Sequence, residues 1–393
     1  MKEGGSRGNP GFPRAGRLLF LVSAIVLVDI ALYSALAPLL PRYAEELDLS
    51  KTGAGVFVAA YAIGVLLGAY PAGLTAARIG PKNAVLVGLL TMAAASVAFG
   101  LADQAGTLCL ARLAQGFGSA LSWAGGLSWL VAQTPRDRRG EMLGIALGAA
   151  IFGALIGPAL GAAADVASPE ATFAGVATVA MLLFAAALRV PPAPAQPTES
   201  GALRHALAEP RFSGGLYLVT LPALLFGVLT VLLPLRLGDF GWSATAIGVV
   251  FIAAASLEAL IAPLIGRASD RRGRLPLIRA ALVGSLLASV ALAWAGSAAV
   301  NVLLALVAAV AFGAFWAPAM ALISEGADRV GLAQGLAFGL MNAAWAVGNA
   351  LGPSAAGFLA EHAGDALPFL LAATLCLVTL VAASARRAAP VSA

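Results

Sequence analysis

The chain has 393 residues, 60% hydrophobic and only 11% charged, with a net charge of +5. So few charges cannot cover a water-exposed surface, which excludes a soluble globular domain. A basic excess alone suits nucleic acid, but its distribution along the chain assigns it to membrane topology instead.

Twelve apolar runs, each long enough to cross about 30 Å of hydrocarbon as a helix, are expected near 18–40, 54–77, 83–101, 107–131, 142–164, 171–190, 213–235, 245–266, 276–296, 299–323, 331–360 and 367–385. The fold class that follows is an all-α membrane protein. With the N-terminus inside, the inner segments carry twenty Lys and Arg, while the outer loops carry three, Arg42, Lys51 and Arg236. This bias places both termini in the cytoplasm and leaves no nucleic-acid patch. The first run is longer than the roughly 7–15-residue apolar core of a signal peptide and has no convincing cleavage site before Asp29, so it is read as retained. Cys109 and Cys376 lie in apolar runs, and His205 and His362 stand alone in loops. No metal or cofactor is expected, and with no phosphate-binding loop neither an enzyme nor an ATP-driven pump is indicated.

Taken in chain order, run one carries Asp29 near mid-membrane, with Tyr33 one turn on sharing its face, then Pro38 and Pro41. After run two comes Gly73-Leu-Thr-Ala-Ala77-Arg78-Ile-Gly80-Pro81-Lys82. Run four opens Arg112-Leu-Ala-Gln115-Gly116-Phe-Gly118-Ser-Ala120. An arginine inside a membrane helix is costly unless it pairs or faces water, so Arg112 is either functional, bonded to nearby carbonyls, or snorkelling outward. Run five carries Gly144, Gly153, Gly157, Pro158 and Gly161, a spacing that lets a neighbouring helix approach closely and bends the helix. The Pro-rich stretch 191–210 reads as a linker between a first six-helix unit, 1–190, and a second, 211–393. Glu258 lies in the middle of run eight, as a proton or cation site or as a buried structural partner. After run eight comes Gly266-Arg-Ala-Ser-Asp270-Arg271-Arg-Gly273-Arg274. Gly73, Arg78 and Gly80 recur 193 residues on, and Gly144, Gly153, Gly157 and Pro158 recur 195 residues on, as two parallel six-helix pseudo-repeats require.

The loop after run eight resembles the G-x-x-x-D-R/K-x-G-R signature of the major facilitator superfamily. The loop after run two departs from it, with Ala77 in place of Asp and Pro81 in place of Arg. Run four is similar to the family's R-x-x-Q-G-x-G-x-A motif, and run five to its antiporter motif, with Ala162 replacing the last glycine. An acid nine residues before Pro-x-x-Pro in run one is similar to drug:proton antiporters and vesicular amine transporters. The resemblance covers essentially the whole chain. It implies twelve helices in the major facilitator fold, gating loops, and a part for Arg112 in proton coupling beside Asp29.

The resemblance also implies that runs 1, 4, 7 and 10 border the cavity, which favours Tyr33, Trp123, Phe226 and Trp316 among the helical aromatics over Tyr61 and Trp345. Gln115, Gln334 and Asn342 are polar candidates, though any of these residues can equally serve packing. The glycine face of run five is expected to pack on a helix of the other half. The function expected is a monomeric proton-coupled antiporter of a bacterial-type inner membrane, exporting small lipophilic or cationic compounds by alternating access, with Asp29, Arg112 and Glu258 carrying the coupling. The alternatives are an importer or a metabolite or sugar symporter, and, from another class, a non-transporting membrane sensor or scaffold.

Overall fold

The computed structural model describes residues 12–134, 139–193, 202–332 and 334–385. They form fifteen α-helices. Two expected runs are each made of two helices. α1 (Phe12–Ser34) and α2 (Leu36–Glu46) meet at Ala35; α12 (Ala298–Gly313) and α13 (Trp316–Arg329) meet at Ala314 and Phe315. At each break a proline stands four residues after the carbonyl it leaves unpaired: Pro38 after Ser34, the last residue of α1, and Pro318 after Ala314. Proline has no N–H for the carbonyl four residues back and crowds it, so the helix parts there.

The first half is completed by α3 (Lys51–Ile79), α4 (Pro81–Leu101), α5 (Ala105–Gln133), α6 (Arg139–Val166) and α7 (Pro169–Arg189). α8 (Ala202–Ala208) is a short helix inside the expected linker. The second half adds α9 (Pro210–Asp239), α10 (Ala244–Arg272), α11 (Arg274–Ala293), α14 (Gln334–Ala363) and α15 (Ala366–Ala385) to α12 and α13. The repeated loop motifs end in Gly80 and Gly273, whose φ angles of +93° and +82° are a conformation that glycine tolerates best. These tight turns join α3 to α4 and α10 to α11.

Among the described residues, ten helical stretches are long and apolar enough to cross a membrane. The other two expected runs, 107–131 and 331–360, fall in α5 and α14. These helices have 29 and 30 residues, but the first carries Arg112 and Gln115 and the second Asn342 and Asn349, which lowers their apolarity. Large apolar side chains point outward around the bundle, among them Phe20 (77% exposed), Leu182 and Leu260. Such a belt is unfavourable in water and favourable in lipid.

The glycine ladders decide how the helices pair. A Cβ on Gly153, Gly157 or Gly161 of α6 would strike the backbone carbonyls of Leu27, Ala31 or Ala35. Gly348 and Gly352 of α14 meet the carbonyls of Thr220 and Leu224 on α9 in the same way. Each ladder therefore packs within its own half, which corrects the expectation that it faces the other half. The opposite side of α6 does reach across: Gly248 of α10 sits against the Pro158 carbonyl and Ala162. The repeat is expressed in three dimensions, since α6 on α1 and α14 on α9 are equivalent pairs.

The seam between halves runs along α3 with α14, α6 with α10, and α2 with α9 and α10. It is tight at the end of the bundle away from the linker. There Gly55 lies against Pro353 and Gly357, Gly357 against Lys51, and Gly238 against Pro41. Toward the linker end, a Cβ on Gly73, Gly144, Gly266 or Gly339, on the same four seam helices, would meet nothing within 4 Å. Among the described residues, the halves touch at the far end and diverge toward the linker end.

Gly157→Leu should force α6 away from α1 and destabilise the bundle by about 1–3 kcal/mol, whereas Gly144→Leu should be tolerated. Thermal melting of the detergent-solubilised variants checks this; equal melting temperatures for the two would contradict the packing.

Candidate functional site

Asp29 is fully buried on α1, and its carboxylate is held by three neutral donors. Tyr61 Oη of α3 donates to Oδ1 at 2.7 Å. Ser119 Oγ and Trp123 Nε1 of α5 both donate to Oδ2 at 2.7 Å. Charge on a carboxylate in low dielectric is costly, and three hydrogen bonds offset part of that cost. Ser119 and Trp123 lie one helical turn apart, so both reach the same oxygen from one face of α5.

Arg112 is 2% exposed and lies about two turns from Ser119 and three from Trp123 along the same helix. Its Nη1 donates to the Leu32 carbonyl at 3.1 Å and to Gln115 Oε1 at 3.2 Å, and its Nη2 to the Tyr33 carbonyl at 3.2 Å. The guanidinium also stands 4.9 Å from the centre of the Tyr61 ring. No ion pair joins Arg112 to Asp29 among the described residues. The carbonyls it takes are those beside the α1–α2 break, where the proline disturbs the helix ladder. Of the readings left open by the sequence, the geometry places Arg112 on nearby carbonyls, sharing the Tyr61 ring with the Asp29 cluster.

Tyr33 leaves the Asp29 face and reaches across the seam. Its hydroxyl donates to Asn349 Oδ1 of α14 at 2.6 Å, and its ring centre lies 5.2 Å from those of both Tyr61 and Trp345. A second cluster forms in the other half. Glu258 is half-buried on α10, with the Trp316 indole as hydrogen-bond donor to its carboxylate. Gly313 of α12 fits against that carboxyl group, where a Cβ would overlap it. Phe226 packs edge-on against Phe312, ring centres 5.4 Å apart. Asp29, Tyr33, Arg112, Gln115 and Trp123 are thus brought together, Glu258 and Trp316 form a separate pair, and Asn342 is half-buried on α14.

The family model described as Major Facilitator Superfamily matches residues 19–338 and 223–392. The chain belongs to the Major Facilitator Superfamily. It is an integral, multi-pass membrane transporter of that family. Tetracycline resistance protein class C of Escherichia coli is 35% identical over 167 residues, 40% of this chain and 39% of that one. The probable vesicular acetylcholine transporter-B of Danio rerio is 32% identical over 139 residues, 33% and 28% of the two chains. Each match thus spans well under half the length of the relative. The crystal structure of a bacterial homologue of the human lysosomal transporter Spinster, inward-facing and occupied, shares the fold with a TM-score of 0.76, at 16% identity over 96% of both chains.

In this facilitator the loop-motif residues do not act alike. Arg78 and Arg271 are exposed, while Arg274 pairs with Glu325 of α13, which also takes Arg211 at 3.1 Å. That network lies within the second half. The side chains of Ala77, Asp270 and Gln334 lie outside the described residues. Sequence reasoning ranked Tyr61 low because helix two was not expected at the cavity, and it missed Ser119 and Asn349. Ser119 was readable as one more polar residue on the Arg112–Trp123 stripe of α5. Asn349 had only its position between the paired glycines Gly348 and Gly352.

At the far rim the halves are latched. Lys51 Nζ meets Asp365 Oδ1 at 2.5 Å, with Arg236 on the other carboxylate oxygen at 3.3 Å. Glu361 of α14 accepts the Thr52 backbone N–H at 2.8 Å, occupying the start of α3. Donors on Thr52, and then Ser50, hold the Glu361 carboxyl down at about 2. A lowered value stabilises the folded state above the ordinary carboxylate range and loses that contribution as pH falls toward it. The melting difference between wild type and Glu361→Gln should therefore hold from about pH 7 to pH 5 and shrink only below about 4.5. A difference that already disappears near neutrality would contradict the latch.

Proposed function

We propose that this facilitator is a proton-coupled antiporter that exports small lipophilic or cationic organic compounds across a bacterial-type plasma membrane. The observation that carries the reading is Asp29, a fully buried carboxylate held by neutral donors and, among the described residues, joined to no cation. A group so placed can take up and release a proton without breaking an ion pair. Glu258, half-buried with one indole donor, supplies a second negative site in the other half, suited to a cationic substrate beside Trp316.

Twelve crossings result when α1–α2 and α12–α13 each count as one and α5 and α14 are included. The linker end then faces the cytoplasm, in keeping with twenty Lys and Arg against three. The divergence of the halves at that end is the access side of an alternating cycle, in which the two six-helix units rock about the midplane. The names of two relatives, a tetracycline resistance protein and a probable vesicular acetylcholine transporter, agree with export of such compounds.

The test is uptake into proteoliposomes under an imposed pH gradient, screened over lipophilic cations and tetracyclines. Asp29→Asn should abolish gradient-driven accumulation and the proton release that substrate causes in detergent. Glu258→Gln should weaken cationic substrates more than neutral ones. Undiminished accumulation and proton release in Asp29→Asn would make Asp29 structural and overturn the assignment.

A further inference from the structure

The buried Asp29 cluster and the seam between the halves are linked by one continuous set of contacts. Tyr61 donates to Asp29 Oδ1, its ring packs on Tyr33, and the Tyr33 hydroxyl donates across the seam to Asn349. The two rim contacts, Lys51 with Asp365 and Thr52 with Glu361, also cross the seam but lie far from Asp29. The Tyr33–Asn349 bond crosses at the depth of the carboxylate. We propose that Tyr33 and Asn349 are the positioning pair through which the ionisation state of Asp29 acts on the seam.

Among the described residues, Asp29 Oδ2 already accepts from Ser119 and Trp123, while Oδ1 accepts from Tyr61 alone. A proton arriving from solvent therefore binds Oδ1, the less occupied oxygen, and the new O–H points where the Tyr61 hydrogen pointed. Tyr61 then changes from donor to acceptor of that bond, and the ring shifts as its own hydroxyl hydrogen is redirected to another acceptor. Its ring cannot move alone, because Tyr33 is wedged between it and Trp345, all at 5.2 Å. Moving Tyr33 lengthens or breaks its 2.6 Å bond to Asn349.

Asn349 in turn is fixed to its own half. Gly348 and Gly352 press α14 onto α9, and the Asn349 side-chain amide donates to the Trp345 carbonyl at 3.4 Å. A change at Tyr33 is thus delivered to the second half as a body. The charged group that bears on Asp29 among the described residues is Arg112 of α5. α6 presents Gly153 and Gly157 to α1, and α7 has no charge between Glu170 and Arg189. α14 has none between Gln334 and Glu361, and Glu361 meets the seam at the far rim and not at the depth of Asp29.

The inference rests on Asp29 being the titrating group, and its test needs no substrate. Spin labels at Ile79 of α3 and Arg272 of α10, with Cys109 and Cys376 replaced by alanine, report the gap between halves at the linker end. In wild type the distance distribution should shift on acidification. Asp29→Asn should abolish the shift, and Tyr33→Phe and Asn349→Ala should each cut it several-fold while the neutral-pH fold is retained. Tyr33→Phe added to Asp29→Asn should change nothing further, as expected for residues acting in one chain. A full shift in Tyr33→Phe and in Asn349→Ala, or no shift in wild type, would overturn the proposal. Because no transported compound enters the measurement, a chain that exports nothing can still pass it, and the two readings fail separately.

Discussion

Placing a carboxylate at zero exposure in an apolar bundle is the demand that organises this molecule. Carboxylate oxygens stripped of water need donors, and membrane helices have no free backbone N–H to offer in their interiors. The donors must come from side chains on neighbouring helices at matching depth. Ser119 and Trp123 meet that need from α5 and Tyr61 from α3, which fixes how α1, α3 and α5 are rotated relative to one another. The same three helices carry Arg112, Gln115 and Tyr33, so polar chemistry collects at one place and the outer surfaces are left apolar.

Close approach elsewhere is handled by glycine. Where two helices must touch backbone to backbone, any side chain would intrude, and the ladders on α6 and α14 remove it. Those ladders bind each half internally, while the halves are joined by a tight rim of glycine and proline contacts, polar pairs at that rim and, among the described residues, the Tyr33–Asn349 bond at depth. Two units whose seam is tight at one end and open at the other suit the alternating access proposed above.

The fold was largely legible because hydrocarbon thickness leaves its mark on run length, and because the two halves repeat the same glycines at one offset. Gly153 with Gly348 and Gly157 with Gly352 identified equivalent helices correctly, yet the ladder's partner was misread. Spacing tells that a helix can be approached closely; it does not tell by which neighbour. The candidate site was legible where a costly residue advertised itself, as Asp29, Arg112 and Glu258 did. Tyr61 and Asn349 escaped because an uncharged tyrosine or asparagine costs less in a membrane helix than a charged residue does. Only the three-dimensional pairing gives them partners.

The break at Ala35 has a consequence for motion. α1 packs on α5, α6 and α7 of its own half, whereas α2 packs on α9 and α10 of the other as well as on α6. Arg112 grips the carbonyls of Leu32 and Tyr33 just before the joint. The first crossing is therefore a jointed strut with its pivot clamped: the lower segment can travel with one domain while the upper segment stays seated against its neighbour, and neither must flex along its length.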